Sequence, residues 1–312
     1  MYAMIRLCAS VLALLFGATP VLFAQAPVPP LEVLVLGSGG PGATGRASSS
    51  YLVFVDGVAR ILVDAGPGSF ARLGEAKASL AKTDIVLLTH LHIDHAGELP
   101  GLFKARAVSG SGPVTFNVWG PSGAAKHGED AYFPSTTEFL HLLFGPKGAF
   151  AYLSDFAATM TLHAHDIPAP VSSPASMQIF KEGDLIISAV AGYHRDAPSV
   201  IYRIDHAGKS ITFSGDIDAR GLPALRGIAR GTDLLIFNSV VLDPPGSRAV
   251  LYTLHSPPLA IGQVASGVGA HELLLSHLSP AVEEATDAVL KSIRQNYAGP
   301  VTFAEDGMRV RP

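Results

Sequence analysis

Apolar stretches that end in a histidine or an aspartate recur along the chain, and this pattern restricts the folds that the chain can adopt. The stretches RILVD, DIVLLTH, LIISAVAGYH, SITFSGD and ELLLSH have the length and composition of buried β-strands. Their polar ends are Asp64, His90, His194, Asp216 and His277. Strands that share a sheet and point the same way would bring these residues to one edge, which is where α/β folds place their sites.

The segment HLHIDH crowds metal-binding side chains directly after one of these stretches. His90 and His92 are two residues apart, so in an extended turn both imidazoles can face one ion. Asp94 and His95 lie at the predicted start of a helix, where they can face a neighbouring ion. Imidazole and carboxylate donors suit zinc, with manganese and iron as alternatives. An aspartate between two such ions can bridge them, and Asp216 has the right chemistry for that position.

Strands and helices alternate along the chain with short connections, which predicts an α/β layered fold. The first half has more strand next to strand, including a hairpin around Asp56 and Gly57, and this favours a mixed sheet over a fully parallel one. Regular alternation stops between residues 122 and 176, which we interpret as an arm or insertion within a single domain of residues 25–312. The sequence HAHD at 163–166 is expected in a loop there, in a structural or solvent-facing role.

The first 24 residues have the pattern of a secretory signal peptide. Arg6 gives a positive start, an apolar run extends from Leu7 to Phe16, and small residues precede a cleavage position near Ala24. The apolar run is short for a membrane span, which favours cleavage over retention as an anchor. We therefore expect a periplasmic or secreted protein without stable membrane insertion. The one cysteine, Cys8, lies in this leader, so the mature chain has no disulfide and no thiolate metal ligand.

The chain is mildly acidic, with 22 basic and 26 acidic residues and a formal net charge of -4. A negative net charge opposes binding to polyanions. We therefore expect a small-molecule substrate and no nucleic acid polymer as a partner.

The motifs THLHIDHAG, GYH, SGD and LLLSH occur in the order found in the metallo-β-lactamase superfamily, which the chain resembles over nearly all of its length after the leader. The resemblance implies a four-layer αββα sandwich that holds two metal ions, expected to be Zn2+. The matching residues imply one ligand set for each ion: His90, His92 and His194, and Asp94, His95 and His277. Asp216 would bridge the two ions, and Asp64 would orient the ligand loop through hydrogen bonds.

Further stretches, among them HIDHAGELPGLF, GYHRDAPSVIYRI and TLHSPPLAIGQVA, resemble the ribonuclease Z-like branch of that superfamily. That branch also includes exported arylsulfatases and cyclic-nucleotide phosphodiesterases, and homodimers are common in it. A histidine before the penultimate helix acts near the leaving group in this branch, and His255 matches that position. We expect Asp94 and His255 to be catalytic, with His255 as a general acid or as a donor to a phosphate oxygen. The SPP that follows His255 replaces the commoner threonine and glutamate.

The leading hypothesis is an exported dinuclear hydrolase in which a hydroxide between the two metals cleaves a small phosphodiester or a cyclic nucleotide. Aryl sulfate esters come second, and lactones or carboxyl esters third. β-Lactams are disfavoured because the true β-lactamases of the superfamily lack the bridging aspartate at the position of Asp216. Two alternatives without hydrolysis stay open: a metal-dependent binding protein and an iron oxidoreductase. A lost ligand would indicate the first and a partner flavin domain the second, and neither is evident in the sequence.

The glycine-rich segment GSGGPGATG after the first predicted strand invites comparison with loops that cradle phosphates. A second strand, SSSYLV, follows it where a phosphate-binding loop would need a helix. We therefore interpret these glycines as a tight turn.

Overall fold

A computed structural model describes residues 27–110, 112–124, 132–156, 159–169, 174–195 and 197–312. The predicted signal peptide at residues 1–24 lies outside these ranges. Within them, no helix combines the length and the apolar character that crossing a membrane requires.

Two seven-stranded sheets of described residues form the framework, and the first sheet combines the N-terminal strands with the last strand of the chain. Its strands are β1 (Leu31–Gly37), β2 (Ser50–Val55), β3 (Val58–Val63), β4 (Ile85–Leu87), β5 (Val114–Pro121), β6 (Met160–Ile167) and β14 (Arg309–Val310). Their spatial order is β14-β1-β2-β3-β4-β5-β6. Neighbours from β14 to β3 are antiparallel, and neighbours from β3 to β6 are parallel.

The second sheet repeats this pairing scheme. Its strands are β7 (Met177–Glu182), β8 (Leu185–His194), β9 (Ala197–His206), β10 (Lys209–Phe213), β11 (Leu234–Asn238), β12 (Glu272–Ser276) and β13 (Val301–Phe303). They lie side by side in chain order, antiparallel from β7 to β10 and parallel from β10 to β13. Both sheets are therefore mixed, as the sequence predicted.

Helices cover the outer face of each sheet, so the molecule has four layers. The helices are α1 (Ser69–Glu75), α2 (Ile93–Ala96), α3 (Leu99–Val108), α4 (Thr136–Phe144), α5 (Leu222–Ile228), α6 (Pro258–Val268), α7 (Pro280–Glu284) and α8 (Thr286–Ile293). Phe103 of α3 packs on the first sheet and Ile261 of α6 on the second. Between the sheets lies a third apolar cluster that includes Tyr202 and Phe213. The predicted αββα sandwich is confirmed.

Local sequence signals fix where several elements turn, begin and end. The hairpin between β2 and β3 turns at Asp56 and Gly57, whose φ angles of 49° and 77° suit a two-residue turn. Helix α4 begins after Ser135, whose hydroxyl accepts a hydrogen bond from the backbone N–H of Glu138 at 3.1 Å. Helix α6 ends at Gly269 in the left-handed conformation.

Residues 122–176 contribute a strand and a helix to the first two layers. Strand β6 pairs with β5 along its whole length, and α4 packs on the same sheet. The expectation that HAHD lies in a loop is wrong, because His163 and His165 belong to β6 and the ring of His165 stacks on Trp119 at 4.6 Å. This strand lies at the edge of its sheet and alternates exposed polar with half-buried apolar residues, a weaker signal than a continuous apolar run.

Phe103 offers a test of the outer apolar cluster of the first sheet. Its buried ring stacks on Phe116 at 4.0 Å and lies 5.4 Å from Phe144. Phe103→Ala should lower the free energy of unfolding by about 3–5 kcal/mol, because it leaves a cavity in a close-packed layer. Denaturant unfolding measures the loss. Phe70→Ala is the control, since Phe70 is 48% exposed and should cost less than about 1 kcal/mol. Equal losses for the two variants would contradict this packing.

Candidate metal centre

The structure brings the polar ends of the predicted strands together at one edge of the sandwich. Asp64 directly follows β3, and His90 lies three residues after the end of β4. His194 ends β8, Asp216 lies three residues after β10, and His277 directly follows β12. All five side chains are buried. Strand ends from both sheets therefore share one site.

Ligand-type atoms of the described residues form two neighbouring groups at this edge, each with its atoms within 4.8 Å of one another. The first group consists of His90, His92 and His194, and the second of Asp94, His95 and His277. Two further groups of the same closeness contain Asp216, one with His90 and His95, the other with His194 and His255. Asp216 therefore lies between the first two groups.

One oxygen of the Asp216 carboxylate is fixed by a hydrogen bond, and the other is surrounded by imidazole rings. Its Oδ1 accepts a hydrogen bond from Nδ2 of Asn238 at 2.7 Å. Its Oδ2 lies within 3.7 Å of a ring nitrogen of His95, His194, His255 and His277. Burial alone would raise the pKa of Asp216, but the surrounding imidazoles hold it well below its usual value. The carboxylate is therefore ionised.

These distances fit a shared cation better than hydrogen bonds. His95 Nε2 is buried without a hydrogen-bond partner in the part of the chain that the structure describes, and it lies 3.7 Å from carboxylate oxygens of both Asp94 and Asp216. Two atoms that each bind a tetrahedral zinc ion at about 2.0–2.1 Å are about 3.4 Å apart. Imidazole and carboxylate are also the donors that zinc and related metals take. The residues at this edge therefore fit metal ions.

Asp64 holds the segment that follows β4. Its Oδ1 accepts a hydrogen bond from the backbone N–H of Thr89 at 2.7 Å, and its Oδ2 accepts one from the Thr89 hydroxyl at 2.8 Å. Oδ2 also lies 2.8 Å from Nδ1 of His95. The φ of 55° at Asp64 is in the left-handed region, an unfavourable conformation that these hydrogen bonds offset. Held through Nδ1, His95 presents Nε2 to the centre.

The carboxylates of the site favour a positive charge at its centre. Burial would lower the pKa of His95, but Asp64, Asp216 and Asp94 outweigh burial and raise this pKa to about 9. A proton and a metal ion compete for the same nitrogen lone pair, so the field that raises this pKa also favours a bound cation. Burial and the neighbouring imidazoles lower the pKa of His90 well below its usual value, which keeps it in the neutral form that a ligand requires.

His194 and His255 approach Asp216 from the side of the second sheet. Nδ1 of His194 lies 2.8 Å from the backbone carbonyl of Leu254, so Nδ1–H donates to that carbonyl and Nε2 faces the centre. The ring of His255 lies 5.3 Å from that of His194 and 5.8 Å from that of His277. Burial lowers the pKa of His255 to about 4, although Asp216 opposes the shift. His255 is therefore a neutral imidazole that borders both ligand groups.

The glycine-rich segment after β1 packs against His277. A Cβ atom on Gly40 would lie 2.7 Å from Cε1 of His277, so only glycine leaves room for this ring. The adjacent Gly39 forms β-bridges with Ser48 and Leu278, which fixes the segment beside the second sheet. His277 itself has a φ of 53°, a conformation that needs support from its surroundings. The segment therefore helps to position His277.

Four residues of the site do not follow from the sequence analysis. Asn238 ends the apolar strand β11, so the strand-end pattern carried a signal for it. Thr89 precedes the HLHIDH segment, and Gly40 lies far from His277 in the chain, so their contacts depend on the tertiary fold. Phe133 approaches His92, with ring centroids 6.0 Å apart, and it begins the stretch FPSTTEFLHLLFGP, whose aromatic and leucine residues fit core packing as well as a substrate entrance.

A family model described as a β-lactamase superfamily domain matches residues 59–278. The match spans the strand ends from Asp64 to His277. The chain belongs to the metallo-β-lactamase superfamily. The predicted enzyme class, a metal-dependent hydrolase, is thereby confirmed.

Similar proteins extend the comparison over most of the chain. Ribonuclease Z of Mycobacterium avium (strain 104) is 27% identical over 303 residues, which cover 90% of this chain and 98% of the relative. Among solved structures, the metallo-β-lactamase fold protein YhfI from Bacillus subtilis matches with a TM-score of 0.66, and human tRNase Z, short form, with 0.68. Each is 22% identical, and each match covers 90% of this chain and 99% of the other. These two matches confirm the fold.

The expectation that no nucleic acid polymer is a partner is wrong. Proteins that resemble this chain over nine tenths of its length bear the names ribonuclease Z and tRNase Z, which denote enzymes that act on RNA. The expectation relied on the net charge of -4. The charge of a whole chain does not report the local potential in a cleft, where substrates bind.

Gly40→Ala tests the support of His277 by the glycine-rich segment. The added methyl group should displace His277 and weaken zinc binding by about 10–100-fold, the usual effect of disturbing groups that orient a ligand. Competition with a chromophoric chelator measures the affinity. Gly42→Ala is the matched control from the same segment, since its Cβ would meet only Thr44 Cγ2 at 3.2 Å. Equal zinc affinities for the two variants would show that Gly40 does not position His277.

Proposed function

We propose that the protein is a dinuclear zinc phosphodiesterase whose substrates include RNA strands. The observation that carries this proposal is that two ligand groups approach one carboxylate oxygen, Asp216 Oδ2, from both sides. A carboxylate shared in this way would let two metal ions act together on a phosphodiester. Similarity to proteins named ribonuclease Z supports RNA as a substrate.

In this proposal each ligand group holds one ion. The ligands would be His90, His92 and His194 for the first ion, Asp94, His95 and His277 for the second, and Asp216 for both. Zinc suits these imidazole and carboxylate donors, with manganese and iron as alternatives. Bound there, the ions would activate a water molecule and polarise a phosphate oxygen. Asp64 and Asn238 orient His95 and Asp216 beforehand, so the centre needs little reorganisation during the reaction.

His255 is the residue proposed to act on the substrate directly. Its Nδ1 lies 3.7 Å from Asp216 Oδ2, and its ring borders both ligand groups. A substrate phosphate that reaches the centre would therefore contact this imidazole, which can donate toward the oxygen where negative charge develops. Asp94, whose Oδ2 lies 3.1 Å from His277 Nε2, is proposed to contribute as a ligand.

The predicted leader bears on the compartment in which the protein works. The leader predicted at residues 1–24 stays a prediction, since it lies outside the described residues. With that leader removed on export, the enzyme would meet RNA in the periplasm or outside the cell.

Asp216→Ala tests the shared carboxylate. Loss of the oxygen between the two ligand groups should lower bound zinc from two ions towards one and remove nearly all activity, because both ions lose a ligand. Elemental analysis after gel filtration measures the metal content. His255→Ala is the companion variant, which should keep its zinc and lose mainly turnover. Two tightly bound ions and full activity in Asp216→Ala would rule out the bridging position.

A comparison of substrates tests the reaction. The zinc-loaded protein should cleave bis(p-nitrophenyl) phosphate and a single-stranded RNA oligonucleotide with a kcat/KM at least about tenfold above that for p-nitrophenyl sulfate, and EDTA should abolish cleavage. A preference for the sulfate would replace the phosphodiesterase proposal with an arylsulfatase activity. Cleavage of the small phosphodiester alone would remove RNA from the proposal.

A further inference from the structure

An open cavity of about 500 Å³ is lined by segments that flank residues of the metal centre in the chain. Three segments line it, and each also carries a residue of the centre: Arg195 follows His194, Asp218 lies two residues after Asp216, and Thr253 lies two residues before His255. Two residues span at most about 7 Å of extended chain, so the backbone that lines the cavity lies within about that distance of residues of the centre. Its size is in the range of small-ligand sites and suits a single nucleotide.

Arg220 projects a fixed guanidinium into this cavity. Its Nε donates to both carboxylate oxygens of Asp218, and its Nη2 donates to Asp218 Oδ2 at 2.6 Å and to the backbone carbonyl of Arg195 at 3.0 Å. The guanidinium carbon lies 5.5 Å from the ring centroid of Tyr193. The remaining nitrogen, Nη1, has no hydrogen-bond acceptor among the residues that the structure describes, and 57% of the side chain is exposed. One edge of the guanidinium is thus held by Asp218 and the Arg195 carbonyl, while Nη1 on the other edge is available to a ligand.

The cavity combines the outward edge of the Arg220 guanidinium with apolar surface. Val250 and Tyr252 form an apolar wall, and the hydroxyl of Tyr252 is anchored by donating to the carbonyl of Leu242 at 2.9 Å. A planar guanidinium is the side chain best suited to phosphate oxygens, and an aromatic wall suits a sugar or a base.

We propose that this cavity binds the nucleotide next to the scissile phosphate of an RNA strand. Arg220 donates to the phosphate of that nucleotide, and Val250 and Tyr252 pack against its sugar or base. Asp218 keeps Arg220 in place, so little side-chain entropy is lost when the phosphate binds. The inference rests on the proposed phosphodiesterase function and adds a substrate-binding position to it.

The test compares two dinucleotides that contain the same scissile linkage. Diuridine monophosphate has no other phosphate, whereas its analogue carries a phosphate at both the 5′ and the 3′ end. The zinc-loaded wild type should cleave the analogue with a KM about tenfold lower and a similar kcat, because a charged hydrogen bond to the extra phosphate adds binding. Arg220→Ala should remove that advantage, and the slope of log KM against log salt should fall by about one.

Further variants, and a substrate that has no neighbouring nucleotide, distinguish a loss of phosphate binding from a disturbed structure. Cleavage of bis(p-nitrophenyl) phosphate and the zinc content should stay unchanged in Arg220→Ala. Arg220→Gln, which keeps a polar contact to Asp218, should lose the same advantage, and Arg220→Lys should recover part of it because the charge remains. Arg226→Ala, at an exposed position of α5, is the matched control and should behave as the wild type.

The outcomes distinguish this inference from the proposed function. If the wild type cleaves both dinucleotides with equal KM, or if Arg220→Ala and Arg220→Gln keep the preference, the cavity is not a nucleotide site and the phosphodiesterase proposal stands. If the wild type cleaves neither dinucleotide nor bis(p-nitrophenyl) phosphate, the proposed function fails, and the nucleotide site fails with it.

Discussion

The buried negative charge of Asp216 is the constraint that the rest of this structure satisfies. An ionised carboxylate removed from water requires hydrogen-bond donors or positive charges around it. These partners come from both halves of the sandwich, with His95 after β4 of the first sheet and Asn238, His194 and His277 at strand ends of the second. Because neither sheet supplies all of them alone, the metal centre is complete only when the two sheets pack together.

The alternation of strands and helices predicted an α/β layered fold, and the apolar runs with polar ends predicted the edge that carries the site, because both patterns are visible without knowledge of the fold. The four layers were implied by the resemblance to the superfamily. The sequence did not predict contacts between distant segments, such as the packing of Gly40 on His277. Strand β6 was missed for a different reason. An edge strand is buried on fewer sides, so its sequence tolerates His163 and His165 and shows no continuous apolar run.

The error about nucleic acid came from treating charge as a property of the whole chain. Substrates respond to the potential where they bind, and that potential depends on a few side chains and their surroundings. Here acidic residues pair with arginines at several places on the surface, for example Arg60 with Asp84 and Arg72 with Asp306. Each such pair cancels in the net charge, so the value of -4 reports only the excess of acidic over basic residues and not where that excess lies.

The last strand of the chain completes the first sheet, since β14 pairs with β1. Just before it, Asp306 accepts hydrogen bonds from the backbone N–H groups of Ser38 and Ala47, at the two ends of the glycine-rich segment. A ribosome synthesises these residues after every other strand of the first sheet, so a growing chain can neither close that sheet nor fix the glycine-rich segment until they have emerged. A shorter nascent chain therefore has no assembled metal centre with which to capture zinc.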